Sequence, residues 1–143
     1  MSPTLILFPV FALVALTFVQ LYRTGSSRVA AITRGEVKVK DIALGQSAWP
    51  DRITQLGRSY QSQFELPVLF YVLAALVLVT KRLDIVLLVL AWAFVASRFA
   101  HAYIHTTSNH VPSRFNAFLA GFVMLVAMWA WFAVRIAFAT PII

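Results

Sequence analysis

The sequence predicts an all-α integral membrane protein, a bundle of four transmembrane helices. Of its 143 residues, 61% are hydrophobic and only 12% are charged, and the mean hydropathy is +0.82. Soluble domains average about 25% charged residues, so an ordinary soluble fold of this length is excluded. Four apolar runs, each near the roughly 20 residues that cross a 30 Å hydrocarbon core, supply the helices. One domain covering residues 1–143 is expected.

The runs are 3–22, 65–80, 83–103 and 115–140. No basic residue precedes the first and no small-residue cleavage site follows it, so it reads as a retained span and not a secretory signal. Pro9 is a candidate kink. Residues 23–57 form a long first connection, whose Val37-Lys38-Val39-Lys40 alternation allows a short strand or a surface-lying segment. Within it, Ser47 to Leu56 reads as a turn and a helix start: Pro50 suits a first helical turn, and Asp51 suits the positive end of the helix dipole. The second helix therefore begins before the membrane does. The second connection carries Lys81 and Arg82, and the third, 105–113, contains Pro112, placed to stop one helix or start the next.

Charge placement predicts orientation. Arg23, Arg28, Arg34, Lys38, Lys40 and Arg52 outnumber Glu36, Asp41 and Asp51 in the first connection. Arg58 and Arg114 extend that excess, so the positive-inside rule puts the first and third loops in the cytoplasm and both termini outside. A net charge of +7 raises the question of nucleic acid, but the cations flank spans and no nucleic-acid motif accompanies them. Membrane lipids with anionic headgroups are the expected partner, and nucleic acid is not. Trp129 and Trp131 fit an outer interfacial aromatic belt. Cysteine is absent, which excludes disulfides and protein thiolate chemistry, so sulfur chemistry requires a thiol brought by a ligand.

The residues that point to function are the ionisable groups at one end of the spans. Burying a charge at the bilayer centre costs roughly 2.5–3.5 kcal/mol on insertion scales, so such residues tend to face protein or water and to mark sites. At the helical period Arg58, Gln61, Ser62 and Glu65 share an arc of about 100°, with Tyr60 and Phe64 pointing elsewhere. Arg98, His101 and His105 fall within about 60°, and Arg114 opens the last span. Together they outline a cationic pocket with one carboxylate. Arginine forks bind carboxylates at two points, and Glu65 can take an ammonium, so the pocket suits a small anion that also carries an amine.

Plainer readings stand beside this one. Arg58 and Glu65 can be an ion pair that fixes register, Arg98 can snorkel to headgroups, and Arg114 can be a positive-inside anchor. His101 and His105 have the spacing of a two-histidine metal pair, yet no Asp, Glu or Cys nearby in sequence completes a ligand set. Hydrogen bonding or ligand contact ranks above metal there, and no metal is expected. Arg135, near the outer end of the last span, reads as a snorkelling or pairing residue.

The segments RSYQSQFELP (58–67), RFAHAYIH (98–105) and VPSR (111–114), with 13 residues from His101 to Arg114, resemble the membrane-associated proteins in eicosanoid and glutathione metabolism, the MAPEG family. Their order looks like the microsomal prostaglandin E synthase branch, and RGEVKVKD (34–41) is similar to bacterial members. The resemblance covers nearly all of the chain. It implies a homotrimer in a bacterial inner membrane, with glutathione as cosubstrate bound between subunits near the cytoplasmic face. It further implies that Arg58 meets a glutathione carboxylate, that Glu65 meets its amino group, that Ser62, Arg98, His101 and His105 line the same pocket, and that Arg114 stabilises the thiolate. A neighbouring cation lowers a thiol's pKa, which gives that last role a physical basis.

Three positions depart from the pattern. Ser62 stands where the family commonly has asparagine, and His105 and Phe118 stand where the prostaglandin branch has tyrosines. Serine and histidine can still hydrogen-bond, but phenylalanine cannot. The expected activity is a glutathione-dependent transferase or peroxidase acting on lipophilic electrophiles or lipid hydroperoxides. The alternative is a non-catalytic lipid-binding or scaffolding protein. A transporter ranks lower, because the chain has no internal repeat and its polar groups sit at one membrane side.

Overall fold

The computed structural model describes residues 1–45 and 48–139. Ser47, where the first connection was expected to turn, and Thr140, the end of the fourth apolar run, lie outside the described residues. The described residues are all helical or irregular, with no strand. Five α-helices occur: α1 (Leu7–Thr33), α2 (Asp51–Gln61), α3 (Leu66–Thr80), α4 (Ile85–Thr106) and α5 (Val111–Ala137). Short 3-10 turns precede α1 at Pro3–Ile6 and join α2 to α3 at Ser62–Phe64. Among the described residues, the helical stretches long and apolar enough to cross a membrane number four: Pro3–Thr33, Asp51–Thr80, Ile85–Thr106 and Val111–Ala137. The protein is an integral membrane protein of four spans.

Helix α1 runs well past residue 22, where its apolar run ends. The added turns are amphipathic: Thr24 and Ala31 are buried, and Thr24 Oγ1 donates to the Leu56 carbonyl of α2 at 3.2 Å. A one-sided helix loses mean hydropathy without losing helicity, which is why hydropathy ends the segment too early. Pro9 lies in the first turn of α1 and is fully buried. Its missing N–H falls where a helix has few internal acceptors to offer.

The described residues of the first connection form no strand. Val37, Ala31 and Ile53 make a small apolar cluster against Ile42, Ala48 and Trp49, and Val39–Asp41 is a 3-10 turn. The Arg28 guanidinium sits 5.1 Å from the Trp49 ring centre, a cation–π contact that holds this cap to α1. Helix α2 starts at Asp51 as expected, with Pro50 as its N-cap in place of its first turn.

The main core joins all four spans. Phe70 of α3 and Phe94 of α4 stack with centroids 5.0 Å apart, among Ile6, Leu13, Leu87 and Met128. Helices α4 and α5 make the most extensive pair, and Gly121 lets them close: a Cβ there would lie 2.7 Å from Ser97 Oγ. Within the most apolar stretch of each span only 22–39% of residues are buried. The outward-facing remainder, such as Phe18, Val79, Phe122 and Val123, is apolar, the surface that a helix in hydrocarbon presents.

Candidate functional site

The second span is one helix broken in the middle, and the break builds one wall of the site. Pro67 cannot donate to the Gln63 carbonyl, and its ring would clash with it, so α2 cannot run unbroken into α3. The chain passes through the 3-10 turn Ser62–Phe64 and an irregular Glu65, φ −97° and ψ −103°, before Pro67 takes its favoured place in the first turn of α3.

Helix α2 is docked by its polar side chains onto the end of α4. Gln55 Nε2 donates to the His105 carbonyl at 2.6 Å and to that of Thr107 at 3.3 Å, and Arg52 donates to the Thr106 carbonyl. The last carbonyls of a helix have no partners within it, so these bonds satisfy groups that would otherwise be orphaned. They also set the distance between the Arg58 end of α2 and the two histidines. Helix α4 ends through Asn109, whose φ of 50° is a left-handed conformation that asparagine tolerates. Its N–H reaches the Ile104 carbonyl at 2.7 Å. Pro112 opens the next helix within its first turn.

Between α2, the break, α4 and the start of α5 lies a cavity of about 550 Å³. Arg58, Gln61, Ser62 and Glu65 form its first wall, His101 and His105 the second, and Arg114 with Val111, Phe115 and Phe118 the third. Six of the seven residues singled out from sequence therefore face one space. Arg58 and Glu65 are exposed, Arg114 is half-buried, and the histidines are buried. No ion pair joins Glu65 to Arg58 among the described residues, where the pairs are Arg34 with Glu36 and Arg135 with Asp84. The carboxylate and the cations of the cavity are left open to a ligand.

Arg98 is the seventh residue and stands behind the wall. It is 1% exposed, so it does not snorkel, and its Nη2 donates to the Ser62 carbonyl at 3.0 Å and to Ser62 Oγ at 2.8 Å. Ser62 Oγ donates in turn to the Ser59 carbonyl at 2.9 Å. The one hydroxyl among the lining residues is thus already engaged. His101 and His105 pack edge to face, centroids 5.5 Å apart, and His101 meets the Phe118 ring at 6.0 Å. Both Nδ1 atoms are sealed and without a partner, as are Nε and Nη1 of Arg98. No group of three or more His, Asp or Glu suited to a metal occurs among the described residues.

Asn109 escaped the sequence reading. Its Oδ1 accepts from Arg114 Nη1 at 2.8 Å, so it holds the guanidinium at the cavity rim. The signal available was an asparagine in a short polar loop between a helix end and a proline, where a left-handed residue is favoured.

A family model described as the MAPEG family matches residues 6–139. No curated protein and no solved structure matches the chain.

Proposed function

The chain belongs to the MAPEG family, and from that premise we propose that it is a glutathione-dependent membrane transferase or peroxidase acting on lipophilic electrophiles or lipid hydroperoxides. One observation carries the reading: Glu65, a carboxylate with no ion pair among the described residues, lines one cavity with the cations Arg58 and Arg114 and with His101 and His105. That is the complement of a small peptide with carboxylates, an ammonium and a thiol. Arg58 takes a carboxylate, Glu65 the ammonium, and Arg114, held by Asn109, the sulfur. His101, His105 and Ser62 line the space between them.

In this reading the protein's work is to raise the thiolate fraction and to position it. Each pKa unit removed from the bound thiol corresponds to about 1.4 kcal/mol, and a guanidinium beside the sulfur supplies it by favouring the charged form. The apolar rim of Val111, Phe115 and Phe118 lets a lipophilic electrophile come from the bilayer side. The thiolate forms a bond to the electrophilic carbon as the leaving group departs with its bonding pair, or it attacks the terminal oxygen of a hydroperoxide: the O–O bond breaks, the alkoxide takes a proton and leaves as the alcohol, and the sulfenic acid formed condenses with a second thiol to give the disulfide and water. A homotrimer in a bacterial inner membrane, with the first and third loops in the cytoplasm where the soluble thiol is available, belongs to the same proposal.

A second reading has its own observation. With Phe118 in the cavity and the Ser62 hydroxyl engaged, no lining hydroxyl is left to donate to a sulfur or oxygen. This favours a non-catalytic lipid-binding or scaffolding role. Titrating glutathione into detergent-purified protein and recording the ultraviolet thiolate band separates the two. A saturable band, absent in Arg114→Ala, supports the enzyme and licenses a screen with a generic aromatic electrophile. Lipid binding with no band in the wild type sinks it.

A further inference from the structure

The break between α2 and α3 has little of its own to hold it. The Ser62 carbonyl accepts the Glu65 N–H at 3.3 Å, a long bond that closes a single 3-10 turn. Glu65 itself lies outside the helical region, and Pro67 removes the donor that would have reached back to Gln63. The same Ser62 carbonyl, and the Ser62 hydroxyl, are gathered by one nitrogen of Arg98. Arg98 does not line the cavity, yet it is the largest fully buried side chain among the described residues. A buried cation within a membrane span is expensive and persists where its hydrogen bonds do something an apolar side chain cannot.

We infer that Arg98 is a positioning residue for the anion site: it clamps Ser62, and through Ser62 it holds the broken turn that aims Glu65 into the cavity, without touching the ligand. The inference rests on the proposed glutathione reading only for what the ligand is. The clamp itself is a statement about residues 62–66. Both hydrogen bonds come from a charged donor, and only part of their gross strength is net once water replaces them, so losing both shifts the population of the held turn by roughly tenfold. Because one nitrogen makes both contacts, lysine retains the donor chemistry on a shorter reach, and Arg98→Lys is intermediate.

The test uses the full-length protein in detergent with two readouts. The first is amide hydrogen exchange in Arg98→Met. Exchange of 62–66 rises roughly tenfold while residues 87–95 of α4 stay unchanged. The second is glutathione affinity in Arg98→Met, Glu65→Gln and the double variant. If Arg98 acts through Glu65, the double variant binds no more weakly than the weaker single one. Losses that multiply in the double variant, or exchange at 62–66 that does not move, overturn the inference and assign Arg98 a direct or merely structural role. If the wild type binds no glutathione, the functional reading falls and exchange at 62–66 alone decides the clamp. Where Arg98→Met does not fold, Arg98→Lys and Ser62→Ala carry the same measurement. Each is expected to raise exchange at 62–66 by a smaller factor, and an unchanged profile in both overturns the clamp.

Discussion

The two ends of this bundle use the same kinds of side chain in opposite ways. At one end Asp84 caps α4 through the Leu87 N–H at 2.9 Å, accepts the Trp131 indole at 2.8 Å and pairs with Arg135 at 3.3 Å. One carboxylate there answers a backbone donor, an aromatic donor and a cation, and it ties the start of α4 to the C-terminal part of α5. At the other end, among the described residues, Glu65 has no cation within pairing distance, Arg98 keeps two unpartnered nitrogens, and both histidines keep an orphaned Nδ1. A closed set of polar partners contributes to the fold. An open set is a cost to folding, and the part of it that lines the cavity, Glu65 with Arg58 and Arg114, is what a ligand can reach.

The contrast can be broken from either side. The largest expected effect is Arg114→Ala: turnover with an aromatic electrophile falls roughly 100-fold, the magnitude typical of removing one charge-stabilising donor, while thermal unfolding in detergent stays put. Its pH profile moves to the alkaline side. Removing the cation raises the bound thiol's pKa towards the ordinary value of about 8.5, so the thiolate is lost first at lower pH. A profile that does not move would remove Arg114 from the sulfur. Next is Asp84→Ala, which loses a cap and two side-chain partners at once. About 2 kcal/mol of stability goes with them, the Arg135 part being small because that side chain is largely exposed, and glutathione affinity is unchanged. Impaired binding in this variant would mean that the two ends are coupled.

Gly121→Ala follows at about 1–2 kcal/mol. The new methyl meets Ser97 Oγ at 2.7 Å, and α4 and α5 must part slightly. Calorimetry should show the loss, and a neutral result would mean that Ser97 simply rotates away. The smallest effect is Glu36→Gln. Its pair with Arg34, at 3.3 Å between exposed side chains, is worth less than about 0.5 kcal/mol, and no shift in unfolding temperature should be measurable.

The four spans and the polar ends were legible because hydropathy and helical periodicity are local properties. The boundaries were less so. The turns of α1 beyond residue 22 are helical because α2 covers one face of them, a fact about a neighbour that no local window contains. The arc of Arg58, Gln61, Ser62 and Glu65 assumed an unbroken helix. A 3-10 turn winds about 120° per residue against about 100° for an α-helix, so three residues accumulate only about 60° of difference. The four side chains still reach one cavity. Pro67 was the sign of the break, present in the sequence and consistent equally with a kink or a helix start.

By itself, the sequence determined that the chain crosses a membrane four times, that a cluster of ionisable residues falls at one end of its spans, and that any thiol must come from outside. These follow from composition and period, which do not depend on how the helices meet. Only the tertiary structure decided which cations face the cavity and which stand behind it. Arg98 and His101 lie three residues apart on one face of α4, yet one points at Ser62 and the other into the open space. That division depends on where α2 docks and where its successor breaks away. It is set by Gln55 and Arg52 on the end of α4 and by Pro67 across the bundle, because a side chain's partner is fixed by the element packed against it and not by its place along its own helix.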